Sequence, residues 1–180
     1  MNKTKFAKLA ASMVLAAALC AMVALTGCMP KAEQQPDAAS LHRAYMSNVN
    51  SICAQAAEDL DGFSDAAASG DLAAMRVAAN TACATLNRIG DLEVPEDLAE
   101  VHGEYLKGAQ ELAQSLQDYV ALYGRFVNET YDSEEDRAAA EQEFQAGLAD
   151  IQALYDSGLG HLSTADSMVA ELGNADTASE

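Results

Sequence analysis

Three histidines are the side chains in this sequence best suited to metal binding or proton transfer: His42, His102 and His161. A di-iron helical bundle needs a glutamate three residues before a histidine on two of its helices. The residues in that position here are two alanines and a glycine, and the zinc-protease pattern His-Glu-x-x-His is absent as well. The spacing therefore predicts no metal site on a single helix, although side chains from different helices can still assemble one.

Two cysteines lie on predicted helices on either side of a turn at Gly70. Cys53 precedes that glycine by 17 residues and Cys83 follows it by 13. In an antiparallel pair of helices this is an offset of about one turn, roughly 6 Å along the axis. We therefore predict a Cys53–Cys83 disulfide, worth about 3 kcal/mol in the chain-entropy model. The alternative is two small thiols that fill helix-contact positions.

No enzyme signature is visible. The sequence lacks Gly-x-Ser-x-Gly, the phosphate-binding loop and the dinucleotide-binding pattern, and no basic neighbour activates either cysteine. Carboxylates are abundant, but their pattern singles out no catalytic pair. The 180 residues include 28 acidic and 10 basic side chains, a formal net charge of −18, and this excludes nucleic acid as a direct partner because phosphate binding needs clustered Lys and Arg. We predict a protein that is not an enzyme and that holds no metal or cofactor.

The first 28 residues have the organisation of a bacterial export signal. Lys3, Lys5 and Lys8 precede an uncharged apolar run over residues 13–25. The segment that follows resembles the lipobox of bacterial lipoproteins, with Leu25, Thr26, Gly27 and Cys28 in its four positions. The resemblance implies that the signal is cleaved before Cys28 and that this cysteine carries a diacylglyceryl anchor. An uncleaved membrane anchor is the alternative, and the apolar run is short for a span of about 20 residues.

These features divide the chain into four parts. They are a signal peptide (1–27), a lipidated cysteine with a polar tether (28–39), a helical domain (40–173) and a polar tail (174–180). From Cys28 onward there are 28 acidic and 7 basic side chains, so an anionic membrane surface repels the domain and the lipid must hold it there. The predicted location is the extracytoplasmic side of the cell membrane.

The domain is predicted to be helical throughout. From Cys28 onward 30 residues are Ala and only 10 are Val or Ile, which favours helices over strands. Apolar residues recur at spacings of three and four within four segments, which are 41–67, 72–89, 98–126 and 144–172. We predict an all-α fold, an up-down-up-down four-helix bundle with unequal helices of roughly 30, 19, 34 and 40 residues.

Polar residues and glycines mark the expected helix ends. Ser40, Asp71 and Ser133 are the predicted caps of the first, second and fourth helices. Gly158 and Gly160 are expected to break the fourth helix, because otherwise the short second helix leaves its long neighbours uncovered.

A stretch of the domain is similar to uncharacterised helical lipoproteins of Gram-positive bacteria. It comprises residues 94–98 (VPEDL) together with His102, Tyr105 and Ala109, and no function follows from it. The function predicted from the whole sequence is a lipid-anchored binding or interaction module of the cell envelope. A cationic envelope protein or a small ligand is its expected partner. The alternatives are a bundle that carries or senses a metal or cofactor, and, less favoured, a hydrolase that uses paired carboxylates.

Overall fold

The computed structural model describes residues 37–177. Within this range the chain forms four α-helices, and no residue lies in a β-strand, which confirms the all-α prediction. The helices are α1 (Ala38–Ser69), α2 (Leu72–Asn87), α3 (Ala99–Asn128) and α4 (Glu134–Thr177), with 3₁₀ turns at Arg88–Asp91 and Glu96–Leu98. The predicted signal peptide, the lipobox residues Leu25, Thr26, Gly27 and Cys28, and most of the tether lie outside the described residues.

The helices begin where polar side chains satisfy their first N–H groups. Asp71 accepts hydrogen bonds from the backbone N–H groups two and three residues later, both at 3.0 Å, so its predicted role as the α2 cap is confirmed. Ser133 accepts from the Asp136 N–H at 3.1 Å and donates to its carboxylate, as expected. The prediction for α1 was wrong by one turn, because Asp37 is the cap and Ser40 lies inside the helix and donates its N–H to Asp37.

A glycine turn joins α1 to α2. Gly70 adopts a left-handed conformation with φ of 70°, which a residue with a Cβ rarely adopts. Its N–H and that of Asp71 donate to carbonyls at the end of α1. Across the pair, the Thr85 hydroxyl donates to the Asp59 carboxylate at 2.6 Å, which ties the two helices together.

The main hydrophobic core lies where α1, α2 and α3 meet, and α4 packs against α3. α1 and α4 do not pack against each other along their lengths. The buried positions on α4 are Phe144, Ile151, Tyr155, Gly158 and Ala165, which are separated by seven, four, three and seven residues. This spacing is typical of the seam of a coiled coil, so α4 contacts the rest of the domain mainly through one narrow stripe.

The predicted break in α4 is wrong, because the helix runs without interruption from Glu134 to Thr177. Its 44 residues span about 66 Å at 1.5 Å per residue. Gly158 instead lies at a close approach of α4 to α3: a Cβ built there would lie 3.0 Å from the carbonyl oxygen of Gly108. A Cβ built on Gly108 would lie 2.7 Å from the carbonyl oxygen of Gly158. The two glycines therefore serve helix packing and do not end the helix.

The predicted disulfide is not formed in the structure: Cys53 and Cys83 are not bonded to each other. The Cys83 side chain is 5% exposed and points at α3, where its thiol donates to the Ala113 carbonyl oxygen at 3.4 Å. The Gln117 amide, also on α3, donates to the same sulfur at 3.7 Å. The sequence spacing predicted similar positions for the two cysteines along the helix axes. The rotation of α2 about its own axis, however, directs Cys83 towards α3.

Candidate functional site

The polar side chains that connect different helices concentrate around the first half of α3. Each of the three histidines contacts a side chain that is distant from it in the sequence. The pairs are His42 with Asp97, His102 with Tyr45, and His161 with Glu104, at 2.6, 3.1 and 2.6 Å respectively. These pairs link α1, α3, α4 and the 3₁₀ turn before α3, so each histidine takes part in a contact between elements that are distant in the sequence.

His161 on α4 lies between two glutamates of α3. Its Nδ1 is 2.6 Å from Glu104 Oε2, and its Nε2 is 3.7 Å from Glu111 Oε1. The two glutamates are seven residues apart, which places them on the same face of the helix about two turns from each other. All three side chains are largely buried, with exposed fractions of 21% for His161, 31% for Glu104 and 22% for Glu111.

The second carboxylate is incompletely satisfied. Glu111 Oε2 is buried and has no hydrogen-bond partner within the described part of the chain. A buried oxygen without a partner is costly, by about 1–3 kcal/mol and more when the group is charged. This oxygen therefore marks the place in the cluster where a further positive or hydrogen-donating group would be accommodated.

Two tyrosines connect α3 to its neighbours. Burial raises the pKa of Tyr45 to about 12 and lowers the pKa of its partner His102, so both groups are neutral at pH 7. Tyr105 is 1% exposed, and its hydroxyl donates to the Asp166 carboxylate on α4 at 2.5 Å. Burial and that hydrogen bond raise the pKa of Tyr105 well above its usual range. Neither phenol is suited to proton transfer near neutral pH, and both are suited to holding helices in register.

Cys83 is not a nucleophile in this environment. Burial raises the pKa of its thiol, and only the hydrogen bond from Gln117 opposes that effect. A reactive cysteine needs a lowered pKa and access to solvent, and the Cys83 thiol has neither.

The outer face of α2 differs from the rest of this acidic surface. No Asp or Glu occurs between Asp71 and Asp91. A shallow groove of about 500 Å³ lies there, and a second groove of about 330 Å³ lies between α1 and the 3₁₀ turn that follows α2. Arg88 lines both grooves. The larger groove is bordered by Val77, Asn80, Thr81, Ala84 and Thr85, and the smaller by Asn48, Ser51, Ile52, Asp91 and Leu92.

Sequence reasoning missed the relation between His161 and α3. The seven-residue spacing of Glu104 and Glu111 was a visible signal, since it puts two carboxylates on one helix face. The rotation of α4 that brings His161 between them is set by tertiary packing at Gly108 and Gly158. Within residues 37–177 no three His, Cys, Asp or Glu side chains converge on a common metal position. None of the described helices has the length and apolarity needed to cross a membrane.

No protein-family model matches this chain, and neither the curated proteins nor the solved structures contain a match to it.

Proposed function

We propose that this chain is a lipid-anchored interaction module of the bacterial cell envelope, held at the extracytoplasmic face of the membrane and without enzymatic activity. Its anchor is a diacylglyceryl group on Cys28, the last residue of the lipobox that begins at Leu25. The helical body starts at the Asp37 cap, nine residues later. The eight residues between Cys28 and Asp37 reach at most about 30 Å when extended, so the body works close to the membrane surface.

The observation that carries the proposal is the surface of α4. This helix contains 44 residues, yet its buried positions form only the narrow stripe that contacts α3. A helix that long, exposed on most of its circumference and joined to a packed core, presents a rigid surface to other molecules. A rigid, exposed helix of this kind is suited to holding a partner at a fixed distance from the membrane.

We infer that the four helices form an up-down-up-down bundle whose α1–α4 side is open. Antiparallel contacts support this arrangement: Thr85 of α2 meets Asp59 of α1, Cys83 meets Ala113 of α3, and Phe126 of α3 meets Phe144 of α4. The long α3–α4 pair extends past the Gly70 turn, because the Tyr123 hydroxyl already reaches the Gly70 carbonyl and α3 continues to Asn128.

The charge of α4 indicates the kind of partner. Glu143 and Asp150 are exposed on the same face, on either side of Ala146, and few basic residues accompany them along the helix. Carboxylates arranged in this way attract a cationic protein and speed its encounter with the helix. A cationic envelope protein is therefore the partner class we propose.

The anchor is tested by labelling cells with a clickable fatty acid and separating membranes from soluble protein. The wild-type chain is expected to take up the label and to sediment with membranes, whereas Cys28→Ser is expected to do neither. Cys53→Ser is the matched control and should behave like the wild type. A Cys28→Ser protein that still carries the label would refute this anchor.

The partner is tested with a photo-crosslinking amino acid placed in living cells at Ala146 on α4 or at Ala54 on α1. Both residues are exposed. We expect a defined adduct from position 146 only, reduced by the double substitution Glu143→Lys and Asp150→Lys and by high salt, which shortens the Debye length to about 3 Å at 1 M. The same adduct from positions 146 and 54 would rule out a cationic partner on this face. So would an adduct from position 146 that is unchanged by the two lysine substitutions and by high salt.

A further inference from the structure

The cluster formed by His161, Glu104 and Glu111 has features that a simple ion pair does not explain. The contact between His161 Nε2 and Glu111 Oε1, at 3.7 Å, is too long for a hydrogen bond. The other oxygen of the same carboxylate is buried without a partner. We propose that His161 Nε2 and the Glu111 carboxylate are two ligands of a divalent transition-metal site of the zinc class, between α3 and α4.

The separation of the two atoms fits this role. Zinc binds histidine nitrogen at about 2.0–2.1 Å and carboxylate oxygen at about 2.0–2.2 Å. Two such ligands at a tetrahedral angle are about 3.4 Å apart by these bond lengths. The gap in the structure is 3.7 Å, so a shift of a few tenths of an ångström brings both ligands to the same ion.

Glu104 supplies the orientation that a metal-binding histidine needs. Its Oε2 lies 2.6 Å from His161 Nδ1, so a proton on Nδ1 is held by the carboxylate and the lone pair of Nε2 faces Glu111. A carboxylate that orients the far nitrogen of a histidine ligand is a recurring feature of zinc sites. Glu104 is therefore a positioning residue for His161.

The protein supplies only two ligands. No third His, Cys, Asp or Glu of residues 37–177 converges on the position between them, so water completes the coordination of the ion. Imidazole and carboxylate ligands together suit zinc better than magnesium or calcium, which prefer oxygen alone.

The experiment titrates zinc chloride into the mature chain by calorimetry at pH 7.5, in a Cys28→Ser background that removes the thiol of the tether. His161→Gln and Glu111→Gln are each expected to weaken zinc binding at least tenfold. His42→Gln is the matched control, because His42 also meets a carboxylate at 2.6 Å but meets no second carboxylate among residues 37–177. It should change the affinity less than threefold. Circular dichroism confirms that each variant keeps its helices.

Two further measurements separate metal binding from a structural effect. In the histidine ring region of the NMR spectrum, zinc is expected to shift the His161 signals and to leave those of His42 and His102 in place. Glu104→Ala should weaken binding by about 10-fold or more, as substitutions behind a ligand typically do, whereas Glu104→Gln should restore it because an amide oxygen accepts the same hydrogen bond. Zinc binding that survives both His161→Gln and Glu111→Gln, or no zinc binding at millimolar concentration, overturns the site.

Discussion

Replacing Gly108 with alanine tests the packing of α3 on α4 more directly than any other single change. Alanine is favoured over glycine in a helix interior by about 1 kcal/mol, so the substitution would stabilise an isolated helix. At Gly108, however, the new Cβ would lie 2.7 Å from the Gly158 carbonyl oxygen and 2.8 Å from the Leu162 Cδ2. The first of these is a backbone atom, so the conflict is relieved only if the two helices separate.

Overpacking of this kind costs about 1–3 kcal/mol, and contact with a backbone atom places it in the upper part of that range. After the helix-propensity gain is subtracted, Gly108→Ala should lower the free energy of unfolding by roughly 1–2 kcal/mol. Two glycines provide controls: a Cβ on Gly62 or on Gly103 meets nothing within 4 Å. Alanine at either site should therefore raise the free energy of unfolding by about 0.5–1 kcal/mol.

Urea unfolding followed by circular dichroism measures these differences, and thermal unfolding gives a second reading. For a domain of this size 1 kcal/mol corresponds to a shift of about 2–4 °C in Tm. The controls should melt a few degrees above the wild type and Gly108→Ala a few degrees below it. If Gly108→Ala proves as stabilising as the two controls, α3 and α4 do not cross at these glycines and the described register is incorrect.

Three more changes probe other parts of the fold. Asp71→Ala should lower the free energy of unfolding by about 1 kcal/mol, because it removes the cap of α2. The control Asp65→Ala, at an exposed position inside α1, should change that free energy by less than about 0.5 kcal/mol. Urea denaturation measures both differences. Iodoacetamide should label Cys83 only after denaturation, because burial raises the pKa of that thiol, and reduction should leave the intact mass unchanged, whereas a gain of about 2 Da would reveal a disulfide. Burial raises the pKa of Tyr45 from 10 to about 12, so the phenol loses its proton at a lower pH in the unfolded chain than in the folded one. Its contribution to the free energy of unfolding is therefore present below pH 10 and is lost as the pH rises to 12. Tyr45→Phe should make the free energy of unfolding in urea decline less steeply between pH 9 and 11.5, and an unchanged decline would contradict the burial of the phenol.

The sequence predicted the helices well because their signals are local. Apolar spacing, a glycine in the turn at Gly70 and an aspartate before α2 each act within a few residues. The cap of α1 was misplaced by three residues because Asp37 and Ser40 are both good capping residues, and their competition is decided by where the first turn begins.

The errors concern interactions between helices. A glycine in a helical segment signals either a break or a close approach of another backbone, and the sequence cannot distinguish them without the partner, which for Gly158 is Gly108. The disulfide prediction used the heights of the cysteines along the hairpin, whereas the direction of Cys83 depends on how α2 is rotated to bury its apolar face. The pairing of His161 with Glu104 and Glu111 was inaccessible for the same reason.

The proposed zinc site and the proposed partner-binding surface lie at different positions along the length of the domain. α1 and α3 run in the same direction, since His42 meets Asp97 near the start of both and Phe63 meets Tyr119 much further along. The histidine contacts are therefore near the end of the domain that follows the tether. The Gly70 turn comes 28 residues after His42, which is about 42 Å at 1.5 Å per residue.

On α4 the zinc ligand His161 and the crosslinking position Ala146 are 15 residues apart, or about 22 Å along the helix. That separation exceeds the Debye length of about 8 Å at physiological ionic strength, so a bound zinc ion changes the potential at the Glu143–Asp150 face only weakly. Any effect of zinc on partner binding would therefore have to pass through the packing of α4 on α3. Since the close approach of Gly108 and Gly158 lies three residues from His161 along α4, zinc bound there would stabilise the packing of α4 on α3 without touching the surface that the partner contacts.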